Sequence, residues 1–141
     1  MSAAAQAFIH RWFEEVWGNG NIDHIDEFLL PDGKCYDFPT PGSVIDREEF
    51  KSSVRGFRDT FSDIRLTVED VFAEGDKVAA RWSAVMSHTG DGLGFEPTGE
   101  TVTLSGISIT HLRDGKILAG WNAFDLTSTV ANLGAIAARG L

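Results

Sequence analysis

Hydrophobic residues recur at helical spacing through the first 61 positions of the chain and alternate with polar ones after that. Phe8, Trp12 and Val16 form one stripe at steps of four, with Ile9, Phe13 and Trp17 beside it. That spacing predicts a helix over 2–17 with a wide apolar face. Gly18-Asn19-Gly20 follows, and these residue types tolerate the left-handed turn at a helix end. A short second helix is predicted from Ile22, Ile25, Phe28 and Leu29, closed by Pro31-Asp32-Gly33. Lys34 to Phe38 reads as a short strand ending at Pro39-Thr40-Pro41-Gly42. The third helix has the clearest start, with Asp46 as cap and Glu49 reaching back to it, ahead of Phe50, Val54, Phe57 and Phe61.

At Ser62-Asp63 the period changes to two. Ile64, Leu66 and Val68 alternate with Arg65, Thr67 and Glu69, the signature of a strand with one covered face. Asp70-Val71-Phe72 shifts the phase and predicts a bulge. Long strands are then predicted over 77–88, 101–113 and 116–124, the last two joined at Asp114-Gly115. A glycine-containing loop spans 89–100, and a final helix with Val130, Leu133 and Ile136 inward starts near Thr127. Helices followed by consecutive strands predict one α+β domain over 1–141, in which the N-terminal helices cover one face of a curved antiparallel sheet. Such an interior is too wide for its own side chains to fill, and a pocket for a small hydrophobic molecule is expected there.

Composition changes this picture by exclusion. Twelve basic residues against 21 acidic ones leave a net charge of −9, which repels nucleic-acid backbones and anionic lipid surfaces. No apolar run is long enough to span a bilayer, the N-terminus has no secretory pattern, and the lone Cys35 has no partner, so a reducing cytoplasm is the expected compartment. No Cys/His cluster has zinc spacing.

Parity along the strands selects the candidate chemistry. Val78, Ala80, Trp82, Ala84 and Met86 share a face that places His88 at its end, where an imidazole can carry protons or be held by the backbone of Thr89-Gly90. Asn122 shares a face with Leu118, Gly120 and Phe124; an amide on that apolar surface needs a hydrogen-bond partner, and Gly120 leaves room for a ligand beside it. Ser108 offers a hydroxyl on the neighbouring strand. Tyr36 and Phe38 are expected to face the pocket together as wall, the Tyr36 hydroxyl as a hydrogen-bond donor. Phe61, Trp82, Met86 and Phe124 complete the expected wall, while Trp17, on a helical aromatic stripe, reads either as core or as pocket edge. Asp125, just before Thr127-Ser128, reads as a helix cap. Gly90, Gly92 and Gly94 precede a strand rather than a helix, so they read as a flexible lip and not as a phosphate loop. Ile107, Ile109, Trp121 and Ala123 make the opposite face of the last strands apolar as well, which predicts a homodimer.

Several local sequences carry a resemblance. Phe61-Ser62-Asp63-Ile64-Arg65, Gly75-Asp76-Lys77-Val78-Ala79-Ala80-Arg81-Trp82, Ser87-His88-Thr89-Gly90, Pro97-Thr98-Gly99, Asp114-Gly115-Lys116-Ile117 and Trp121-Asn122-Ala123-Phe124-Asp125 resemble the SnoaL-like polyketide cyclases of the nuclear-transport-factor-2-like superfamily. The likeness runs from Ala7 to about Gly134. It implies a cone barrel, commonly dimeric, and a cofactor-independent enzyme that moves protons to cyclise or isomerise a polyketide-like or cyclic carbonyl compound. The same superfamily contains binding proteins and epoxide hydrolases, so both remain alternatives. In such cyclases the base is an Asp directly after the position of Trp121, supported by a histidine on the preceding strand. This chain has Asn122 and Ser108 there, and an amide does not act as a base near neutral pH. Asn122 and His88 are the candidate catalytic residues that remain.

Overall fold

A computed structural model describes residues 2–139. Helix α1 spans Ser2–Trp12 and runs into a wider π-helical turn, Phe13–Gly18, that ends as expected at the glycine pair, with Gly20 at φ 71°. A single 3-10 turn, Ile22–His24, leads to α2, Ile25–Phe28. The remaining elements are β1 Leu29–Tyr36, β2 Val44–Ile45, α3 Arg47–Thr60, β3 Phe61–Glu74, β4 Lys77–His88, β5 Thr101–Arg113, β6 Lys116–Phe124 and α4 Leu126–Arg139. Among the described residues no helix is long and apolar enough to cross a membrane.

The six strands form one curved sheet in the order β2-β1-β6-β5-β4-β3, with the N-terminal helices packed on its concave side. The α+β class is the expected one. The pairings from β3 to β6 and that of β1 with β2 are antiparallel, but β1 runs parallel to β6, so the sheet is mixed. That pairing also corrects the expectation that Pro31-Asp32-Gly33 closes a helix. These residues lie inside β1, where the register against β6 shifts between Leu29 and Lys34, an irregularity that accommodates a proline. Gly33 is required by the close approach, since a β-carbon there would lie 2.6 Å from Leu29 Cδ1 and 3.0 Å from the Ile117 carbonyl. Tertiary pairing has overridden a local turn signal.

Helix α3 forms as its sequence dictates. Asp46 Oδ1 accepts from the Glu49 amide at 2.8 Å and Glu49 Oε1 accepts from the Asp46 amide at 3.0 Å, the reciprocal pair of a capping box. Phe50 and Val54 are buried by it, whereas Phe61 opens β3 rather than ending the helix. The bulge in β3 falls between Val68 and Asp70, beside the predicted phase change. On β4 every second residue from Val78 to His88 is buried. The core unites Ile9, Trp12, Val16, Phe28, Phe50 and these inward residues of the sheet, with Trp12 stacked on Phe50 at a centroid distance of 5.4 Å.

Strand register produces one further feature. Phe72, Ala79, Ile109, Trp121, Tyr36 and Val44 are successive cross-strand partners, an apolar row across the outer face of all six strands. Phe72 is 69 % exposed, Val44 56 % and Ile109 45 %.

Candidate ligand-binding site

Between the helices and the sheet lies a small, partly open cavity of about 50 Å³. Phe13 and Trp17 close it from the first helical segment, Phe57 from α3, and Trp82, Met86 and Leu104 from the sheet. Phe38 and Phe124 stand near its outer end, and both also border shallower clefts on the surface. Trp17 is held by edge-to-face contacts with Phe38, Phe50 and Phe57, at 5.2, 5.8 and 5.8 Å. Among the described residues lining this front chamber none is ionisable, and side-chain nitrogen or oxygen is carried only by Trp17, whose indole N–H has no hydrogen-bond partner among the described residues, and by the three sheet residues Trp82, Ser108 and Asn122.

These three groups form a chain. The indole N–H of Trp82 donates to Ser108 Oγ at 3.1 Å, and the Ser108 hydroxyl donates to Asn122 Oδ1 at 2.9 Å. The Asn122 amide nitrogen donates to the Tyr36 carbonyl at 3.1 Å and to Cys35 Sγ at 3.4 Å. Register explains the assembly: Ser108 and Asn122 are direct cross-strand partners on β5 and β6, and Tyr36 pairs with Trp121 next door. Burial, opposed by the Asn122 hydrogen bond, pushes the Cys35 thiol up to about 12, so it stays neutral near pH 7.

Behind this network is a second small chamber of about 40 Å³, bordered by Cys35, Thr110, Ile117 and Gly120. Phe13, Trp17, Ser108 and Asn122 line both chambers and thus separate them. A β-carbon built at Gly120 meets nothing within 4 Å.

The structure brings Trp17, Phe38, Trp82, Met86, Ser108, Asn122 and Phe124 together around the front chamber. Three residues fall elsewhere. Tyr36 lies on the outer face, its ring stacked on Trp121 at 5.0 Å, because the left-handed backbone of Asp37 (φ 60°) breaks the alternation and turns Phe38 alone inward. The neighbour of Tyr36, Cys35, is buried instead, a position that burial of a small thiol could have signalled. Phe61 packs between Phe57 and His88 and lines an outer cleft.

His88 is wholly buried but touches neither chamber. Its Nδ1 accepts the backbone N–H of Thr98 at 3.1 Å and lies 3.0 Å from the Thr98 hydroxyl, while Phe61 and Phe95 flank the ring. A ring nitrogen that accepts leaves the proton on Nε2, which has no partner among the described residues. His88 therefore fastens the 89–100 loop through Thr98, not through Thr89-Gly90, and does not meet Asn122. The loop is also tied to Thr60, whose carbonyl accepts from the Thr89 and Gly90 amides, so the lip is anchored at its base. Asp125 caps α4, its carboxylate accepting from the Ser128 amide at 3.0 Å.

A curved sheet with N-terminal helices packed against it defines an α+β cone fold. Residues 7–133 match the family model for SnoaL-like polyketide cyclases, and the chain belongs to that family. Among solved structures it is similar to a provisionally assigned polyketide cyclase from Acidithiobacillus ferrooxidans, at 26 % identity and a TM-score of 0.80 over 95 % of this chain and 96 % of that one. IdmH from Streptomyces antibioticus, likewise provisionally assigned as a polyketide cyclase, matches at 26 % identity and 0.78 over 92 % and 98 %. A SnoaL-like protein from Jannaschia sp. CCS1 matches at 22 % identity and 0.85 over 96 % and 94 %, which bears on the fold alone. Among curated proteins none matches.

Proposed function

We propose that this protein binds a small, uncharged hydrophobic molecule in the front chamber and that it does so without proton-transfer chemistry of its own. The observation that carries this reading is the lining: among its described residues no carboxylate, imidazole or amine reaches the chamber, and the polar groups of Trp82, Ser108 and Asn122 bond one another. General acid–base catalysis needs a group of suitable pKa within about 3 Å of the reacting proton. Asn122 does not provide one, and His88 lies outside. An epoxide hydrolase would need an Arg with paired Asp in the chamber, a set its described lining lacks.

A second reading is a cofactor-independent cyclase or isomerase acting on a polyketide-like carbonyl compound. Family membership and the cyclase assignments of its relatives favour it. Incubating the protein with α-tetralone in deuterium oxide separates the two. Binding by calorimetry without protein-dependent deuterium uptake at the α-carbon supports the binding protein, whereas uptake lost in Asn122→Leu establishes the enzyme. Failure of α-tetralone, naphthalene and naphthol all to bind would overturn both.

A further inference from the structure

The last carbonyls of a helix need partners from outside its own ladder. At the end of the π-helical turn Phe13–Gly18, those of Glu14, Glu15 and Val16 accept from the amides of Asn19, Asn21 and Gly20, at 2.8, 2.9 and 3.1 Å. The two that follow accept from a side chain. Arg58 Nη1 donates to the Trp17 carbonyl at 2.7 Å and, more weakly, to that of Gly18 at 3.4 Å. A guanidinium at a helix C-terminus also meets the negative end of the helix dipole. Gly20 makes room for this approach, since a β-carbon there would collide with the guanidinium.

Arg58 stands in the last turn of α3, one residue after Phe57. Trp17 and Phe57 both line the front chamber and meet edge to face at 5.8 Å. The bond from Arg58 thus ties the backbone that carries one wall to the helix that carries the other, 41 positions along the chain. We propose that Arg58 is a positioning residue for the front chamber: by holding the Trp17 carbonyl it sets the spacing of the Trp17 and Phe57 rings, and so the width of ligand the chamber admits. This rests on the reading of the chamber as a binding site. Arg58 is not among the described lining residues and acts only through Trp17. In a chamber of about 50 Å³ a small outward shift of one indole changes the space by a large fraction. Without the tether a one-ring ligand loses a wall that was ordered in advance, whereas a two-ring ligand gains room.

Calorimetric titration with phenol and 2-naphthol reads that width as a ratio of two affinities. In Arg58→Met, which keeps the length of the side chain and loses its donors, 2-naphthol should gain several-fold on phenol relative to wild type. Arg58→Lys, which keeps a donor for the Trp17 carbonyl, should hold the wild-type ratio. A merely structural role lowers the melting temperature of Arg58→Met and leaves the ratio alone. An unchanged ratio, one that moves toward phenol, or an equal shift in Arg58→Lys therefore overturns the proposal and leaves the binding site standing. Should Arg58→Met not fold, Arg58→Gln takes its place; failure of both to fold makes the bond a requirement of the whole fold and overturns its assignment to the chamber. Binding of neither ligand to the wild-type protein overturns the binding site and this inference together.

Discussion

The side-chain amide of Asn122 on β6 donates to the main-chain carbonyl of Tyr36 on β1 across 3.1 Å. The polar centre of the interior therefore also fastens the one parallel strand pair of the sheet. Replacing the amide by a carboxyl, Asn122→Asp, sets an oxygen against that carbonyl, and only the protonated acid can donate to it. The folded-state pKa of the new carboxyl should accordingly be raised. Its contribution is fully present below the unfolded value of about 3.9 and is lost as pH rises through the folded one, at roughly 1.4 kcal/mol for each pH unit that separates the two. Chemical denaturation from pH 4 to pH 8 should show the variant losing stability relative to wild type as pH increases.

Cys35 gives a second titration, at the alkaline end. Its folded thiol stands at about 12 against 9.0 for an ordinary one, chiefly because of burial. A raised value means stability that is complete below pH 9 and declines between about pH 9 and 12, by roughly 1.4 kcal/mol per pH unit for this group. Cys35→Ala should lose that part of the alkaline slope while other groups continue to titrate. Identical slopes in the two proteins would contradict the assignment.

Gly120 borders the rear chamber with open space where a β-carbon would stand, and its backbone needs no positive φ. Gly120→Val should raise stability by about 0.5–1 kcal/mol, through reduced unfolded-chain entropy and better strand packing. A lower melting temperature would show that the space is occupied by something essential.

The apolar row from Phe72 to Val44 is suited to a second copy of the chain laid sheet against sheet. Light scattering at micromolar concentration should report a dimer, and Ile109→Asp, at a site 45 % exposed in the single chain, should give a folded monomer. A monomeric wild type would count against the homodimer.

Much of this molecule is legible in its sequence because period and parity are local. The capping box at Asp46, the strands over 77–88, 101–113 and 116–124 and the burial of alternate residues on β4 all follow from nearest-neighbour patterns. What escapes depends on partners far along the chain. Pro31-Asp32-Gly33 reads as a turn until β6 is known to lie alongside, and Tyr36 reads as inward until Asp37 is seen to reverse the phase. Parity places His88 on the covered face, where it is found, but carries no information on how far along that face the chamber extends. The hydrogen-bond chain from Trp82 to Cys35 joins residues up to 87 positions apart, and only the register of four strands creates it.

The wall of Phe13, Trp17, Ser108 and Asn122 belongs to both chambers, so the two are thermodynamically linked. An occupant of the rear chamber that displaces or steadies Asn122 alters affinity in front by some factor, and a front occupant must alter affinity behind by that same factor. Affinity in front and tolerance of bulk beside Gly120 are consequently two readings of one equilibrium, coupled through the wall that both chambers share.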